Sequence, residues 1–194
     1  METLDVIREK IRFYDGFPKE GIVFIDLLPL LNDATVFREV EREIALRISC
    51  GNVAVPEARG FIFASPLLTV DSGVDTLIAF RKSGKLPHVD GDLVEIPVMK
   101  EYGGDSLCFR KSDVAACLTV GADSVIEITV FDDVLATGGT AEGMAIALNA
   151  LSVGTVDGNI PVRVREFVFL AEITSIGARD RLERIAPVKS VLQF

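Results

Sequence analysis

One segment constrains the fold of this chain more than any other: Val130-Phe131-Asp132-Asp133-Val134-Leu135-Ala136-Thr137-Gly138-Gly139-Thr140. The apolar run over 124–131 reads as a buried strand, and the two aspartates end it. Residues 136–140 form a glycine-bearing turn, and 141–151 continue as a helix. Strand, turn and helix in direct succession ask for a parallel sheet covered by helices, because the helix must carry the chain back across the sheet.

The same segment carries a chemical pattern. Gly138 and Gly139 let backbone approach a ligand closely, and the helix start offers N–H groups with no partner in the chain. Thr137 and Thr140 add hydroxyls. The assembly is a cradle for one phosphate dianion. Asp132 and Asp133 would repel that phosphate, so they should face hydroxyls or a metal ion. A ribose phosphate satisfies both halves, with its diol at the carboxylates and its phosphate at the turn.

The rest of the chain supports an α/β fold with a central, mostly parallel sheet flanked by helices. Residues 4–13 carry apolar side chains at helical spacing, and Phe17-Pro18-Lys19-Glu20-Gly21 breaks that helix. Asn32 or Asp33 caps a second helix, with Phe37, Val40, Ile44 and Ile48 on one face. Residues 53–55 and 74–80 read as strands, and 61–70 as a buried helix that stops near Gly73. Residues 162–170 form a strand, followed by a short helix over 179–185 and a final strand. Crossovers between parallel strands are expected to be right-handed. Residues 81–105 are polar and rich in glycine and proline, with one possible strand over 93–99. A long irregular segment in a compact domain reads as a lid.

Composition narrows the function. The chain has 194 residues, which fits a single domain spanning 1–194. A net charge of −9 argues against nucleic acid and anionic membranes as partners. No apolar run approaches the ~20 residues that span a bilayer, and Met1 to Asp5 show no secretory signal. Cys50, Cys108 and Cys117 form no metal or CxxC pattern. Free thiols in a reducing compartment, hence a cytoplasmic location, are expected. His88, the one histidine, reads as a solvated loop residue.

The segment 130–140 resembles the phosphoribosyl-pyrophosphate signature of the type I phosphoribosyltransferase family. Other stretches agree in order: the N-terminal segment from Phe17-Pro18-Lys19-Glu20-Gly21 to Val23-Phe24-Ile25-Asp26, then Glu57-Ala58-Arg59-Gly60, Arg81-Lys82-Ser83-Gly84-Lys85-Leu86-Pro87 and Glu101-Tyr102-Gly103. The N-terminal and basic-loop elements are similar to those of the family's adenine-using branch. The resemblance implies the type I fold, with a small N-terminal hood over 1–30 and a flexible lid over 82–105. It also implies transfer of a phosphoribosyl group to adenine, giving AMP and pyrophosphate, as part of purine salvage. Magnesium is the implied cofactor, held mainly through substrate and water rather than by direct protein ligands. A homodimer is the implied assembly.

By the same resemblance, Asp132 and Asp133 hold the ribose hydroxyls, and Ala136, Thr137, Gly138, Gly139 and Thr140 hold the 5′-phosphate. Arg59, Arg81, Lys82 and Lys85 face the pyrophosphate. Val23, Phe24 and Ile25 form the base site, with Phe24 stacking on the purine. Glu101 handles the imidazole-ring proton, and Tyr102 closes over the site. Five positions depart from the family pattern: Ile25 stands where arginine is usual, Val55, Ala64 and Ala178 stand where glycine is usual, and Pro56 stands where isoleucine or leucine is usual. Pro56 beside Val55 also removes a backbone donor. Two other readings stay open, the same transfer to another purine and a non-catalytic homologue that binds phosphoribosyl pyrophosphate. A 6-oxo purine calls for a lysine shortly after the cradle, and residues 144–152 contain none.

Overall fold

The computed structural model describes residues 3–100, 103–117, 125–156 and 158–194. The chain opens with α1 (Thr3–Lys10), β1 (Arg12–Asp15) and β2 (Val23–Asp26). The two strands pair antiparallel, with Tyr14 opposite Phe24. This pairing ends the first helix at Lys10, shorter than its apolar spacing suggests. Next comes α2 (Ala34–Ala45), whose N-cap is Asp33: its side chain accepts from the Thr35 and Val36 amides.

The main sheet contains β3 (Asn52–Pro56), β4 (Thr76–Lys82), β5 (Leu93–Lys100), β6 (Gly103–Arg110), β7 (Ile126–Leu135), β8 (Ser152–Thr155), β9 (Gly158–Glu172) and β10 (Val188–Gln193). The spatial order is β10-β9-β7-β3-β4-β6-β5, with β8 paired to β9. From β10 to β4 every pairing is parallel, while β6 and β5 join antiparallel. The remaining helices are α3 (Arg59–Ala64), α4 (Lys111–Ala115), α5 (Gly139–Asn149) and α6 (Arg179–Leu182).

Two apolar cores lie on opposite faces of the sheet. One packs α5 and α6 with Ala54, Val130, Phe167 and Phe169. The other packs α1, α2 and α3 with Val53, Val55, Phe131 and Val168. Neighbouring residues such as Val130 and Phe131 therefore serve different cores, as the strand period of two requires. Among the described residues, no helix is long and apolar enough to cross a membrane.

Three expectations change. The helix foreseen over 61–70 ends at Ala64 and becomes a 3-10 turn over Ser65–Leu68, because Pro66 cannot donate to a continuing helix. Within 81–105 the possible strand over 93–99 forms β5, and it gains an unforeseen antiparallel partner in β6, in register from Leu93 opposite Arg110 to Lys100 opposite Gly103. Asp132 and Asp133 do not end β7. The strand runs on to Leu135, because Val134 and Leu135 stay paired with Ala171 and Glu172 of β9.

Candidate active site

The sheet changes winding direction between β3 and β7. The chain leaves β3 toward β4 on one side and leaves β7 toward β9 on the other. Such a switch point opens a crevice at the carboxyl ends of its strands. Arg59 lies just beyond β3 there, Asp132 and Asp133 lie among the last four residues of β7, and the glycine turn follows that strand.

The acid pair is tightly placed. The Asp133 amide donates to Asp132 Oδ1 at 2.9 Å. Burial pushes the Asp132 carboxyl well above the ordinary aspartate range, and the Asp133 charge pushes it further. Burial raises Asp133 too, against the pull of the Arg59 guanidinium. Arg59 Nε lies 2.7 Å from Asp133 Oδ2, yet its N–H is not aimed to make a hydrogen bond. Asp133 Oδ2 is thus a buried acceptor with a charge neighbour and no donor, suited to a hydroxyl hydrogen or a hard cation.

Arg59 also reaches the base segment. Its guanidinium carbon sits 5.0 Å from the centroid of the Phe24 ring. Phe17 meets the same ring edge-on, with centroids 5.1 Å apart. Gly60 lets α3 settle onto the strand ends: a Cβ there would meet Val55 Cγ2 at 2.8 Å and Asp132 Oδ1 at 3.4 Å. Val55, the departure from the usual glycine, is thus accommodated by the missing side chain at Gly60. Pro56 is similarly tolerated. β3 meets β7 only at Val53 and Ala54, and the amide facing β4 is that of Glu57, which donates to Phe80. Ile25 is buried in the α1–α3 core, and Ala64, the last residue of α3, is buried in the same core.

The cradle takes its expected form. Gly138 has φ +73°, a left-handed conformation that glycine adopts without steric cost, and α5 starts at the next residue. The Glu142 amide already bonds to the Gly138 carbonyl at 2.9 Å, so the N–H groups before it are left for a ligand. Arg81 stands at the end of β4, ion-paired with Glu57, and the Glu57–Ala58 peptide is cis. Lys82, the last residue of β4, and Lys85 in the turn after it are exposed, and the Lys85 amide donates to the Lys82 carbonyl at 3.0 Å. Val23 is exposed beside half-buried Phe24. Glu101 and Tyr102 lie outside the described residues.

The structure thus brings Phe24, Arg59, Asp132 and Asp133 into direct contact around the crevice. It gives Glu57 and Gly60 of the quoted motif a part in the site, and adds two residues that the motifs do not reveal, Glu142 and Arg181. Arg181 donates to the Thr137 carbonyl and lies 3.2 Å from Glu142. In sequence, Arg179-Asp180-Arg181 resembles any solvated helix, and nothing there signals contact with a turn some forty residues earlier.

Comparison with known proteins accounts for this arrangement. A search against family sequence models finds no match. Solved structures share the fold, however. The adenine phosphoribosyltransferase of Thermoanaerobacter pseudethanolicus superposes with a TM-score of 0.77 at 31% identity, covering 98% of this chain and 99% of its own. The Saccharomyces cerevisiae enzyme, solved with an imino-altritol bisphosphate and adenine, gives 0.76 at 25% identity over 97% and 98%. The parallel sheet, acid pair and glycine cradle at the switch point define a type I phosphoribosyltransferase. Among curated relatives, the adenine phosphoribosyltransferase of Maridesulfovibrio salexigens is 37% identical over 92% of this chain and 94% of its own length. That of Methanococcus maripaludis is 33% identical over 91% and 92%. The chain belongs to the adenine phosphoribosyltransferase family.

Proposed function

We propose that this chain transfers the phosphoribosyl group of phosphoribosyl pyrophosphate to adenine, giving AMP and pyrophosphate, as a step of cytoplasmic purine salvage. The observation that carries the reading is the Phe24–Arg59–Asp133 constellation. One guanidinium touches both the ring suited to stack on a purine and the carboxylate suited to a ribose hydroxyl. A base and a sugar bound to these two groups would be close enough to join.

The division of labour follows from the geometry. Phe24 stacks on the base, flanked by the backbone of Val23 and Ile25. Asp132 and Asp133 accept from the ribose diol. As the bond at the anomeric carbon stretches, positive charge grows on the sugar, and the nearby carboxylates stabilise it. Backbone N–H groups of 136–140 and the hydroxyls of Thr137 and Thr140 fix the 5′-phosphate. Arg59, beside Asp133 and Phe24, joins Arg81, Lys82 and Lys85 on the pyrophosphate. Glu101 takes the base's imidazole proton, and Tyr102 covers the reacting atoms. The antiparallel pairing of β5 with β6, both within or bordering this segment, supports a lid over 82–105.

Asp132 and Asp133 would hold magnesium, mainly through substrate and water, and the donorless Asp133 Oδ2 fits a hard cation. When bound, it supplies charge neutralisation to the departing pyrophosphate. The 1–30 segment forms the hood of a single domain. Exposed Phe13, Tyr14, Phe17, Val23, Leu28 and Leu31 on and beside that hood support a homodimer.

The reverse reaction tests the proposal. AMP, pyrophosphate and magnesium should yield free adenine, and a chelator should stop it. AMP left intact under these conditions would overturn the reading.

A further inference from the structure

The cradle is braced by the C-terminal segment. Glu172 ends β9 directly beside Leu135 and is 3% exposed. It holds Arg179 through two hydrogen bonds, one of them Nε to Oε1 at 2.9 Å, and Arg179 Nη1 also donates to the Val188 carbonyl at 2.7 Å. This network anchors α6. Ala178, just before α6, rests against the turn: a Cβ on Gly138 would meet Ala178 Cβ at 3.3 Å and Arg181 Nη2 at 3.4 Å. From α6, Arg181 Nη2 donates to the Thr137 carbonyl, while its Nε lies 3.2 Å from Glu142 Oε2 in the first turn of α5.

We propose that Arg181 is a positioning residue for the 5′-phosphate site, acting through the peptide that joins Thr137 to Gly138. The proposal rests on the reading of 136–140 as the phosphate cradle. That peptide is trans. In a trans peptide the C=O and N–H point in opposite directions. Holding the Thr137 carbonyl therefore aims the Gly138 N–H away from the guanidinium and toward the ligand side of the turn. The bond is charge-assisted and polarises the peptide, which makes the N–H a stronger donor to an anion. Glu142 orients the guanidinium and offsets its charge, so Arg181 serves the backbone rather than meeting the phosphate itself. Gly138 is the residue whose left-handed conformation sets this peptide, and Arg181 holds it from outside the turn.

The test uses Arg181→Met and Arg181→Lys in the full chain. Ribose 5-phosphate and magnesium pyrophosphate are titrated separately by calorimetry, with thermal melts alongside. Arg181→Met should weaken ribose 5-phosphate by roughly tenfold or more, the scale of one charged hydrogen bond, and leave pyrophosphate unchanged. Arg181→Lys keeps one charged donor and should stay within about threefold of the parent protein. Unchanged ribose 5-phosphate affinity in Arg181→Met would overturn the proposal. So would an equal loss for both ligands, or an equal loss in both variants. A parent protein that binds pyrophosphate but no ribose 5-phosphate would instead remove the cradle reading on which the proposal stands.

Discussion

Gly138→Ala adds a single methyl group at the centre of the cradle. The residue has φ +73°, and the added Cβ would lie 3.3 Å from both Ala178 Cβ and Leu135 Cδ1. The left-handed conformation costs an L-residue about 1–2 kcal/mol, and crowding in a packed site adds roughly 1 kcal/mol. Neither neighbour gives way easily, since Ala178 is anchored through α6 and Leu135 is core. The turn itself should yield, losing the peptide directions that face the phosphate. If the whole strain of about 2–3 kcal/mol falls on the bound state, ribose 5-phosphate affinity drops roughly 30- to 150-fold. Calorimetric titration measures the loss, and a melt confirms the fold. A Gly138→Ala protein that melts normally and binds ribose 5-phosphate with parent affinity would refute the reasoning. A drop of about 4–12 °C in melting temperature with intact binding would show that the strain is borne by the whole domain, which also contradicts it.

Asp133→Asn should lower kcat by at least roughly tenfold, the low end for losing one contact to the charge that grows on the sugar. Steady-state kinetics check this, and an unchanged rate would remove Asp133 from the chemistry. Glu41 gives a pH prediction. It is 1% exposed on α2, both of its carboxylate oxygens lack a partner, and burial pushes its pKa from 4.5 up to about 8. A carboxyl that holds its proton more tightly when folded contributes stability below pH 4.5, and that contribution is lost as pH rises to about 8. Urea unfolding should therefore show the parent protein losing on the order of a few kcal/mol between pH 5.5 and 8.5. Glu41→Gln should show a much flatter profile, and equal losses in the two proteins would contradict the assignment.

Strands β3, β4, β7 and β9 were legible because their apolar runs are buried in the parallel part of the sheet, whereas β1, β2, β8 and α4 gave no such run. Buried parallel strands carry their own signal in the sequence. The hairpin of β5 and β6 was harder to see. Gly84, Pro87, Gly91 and Pro97 suggest turns, whereas the pairing comes from contacts between the two strands. The extension of β7 through Asp132 and Asp133 was hidden for the same reason, since it depends on the partner strand β9. At the site, Asp132, Asp133 and the glycine cradle announce themselves by residue type and spacing. Arg59 was legible as a cation, but its contact with Phe24 joins distant segments. Arg181, Glu142 and Glu172 gave no local sign, because each works through a backbone group or a charge that only the fold brings near. Val55 looked disruptive on its own and proves compatible once Gly60 is seen against it.

The central claim is the choice of base, and AMP formation tests it most directly. Adenine, hypoxanthine, guanine and xanthine should be run in parallel with phosphoribosyl pyrophosphate and magnesium. Product should form with adenine and not with the three oxo-purines, consistent with the absence of lysine from 144–152 after the cradle. Turnover of hypoxanthine or guanine in place of adenine would contradict the base site built on Phe24, and no turnover with any base would contradict the enzyme itself.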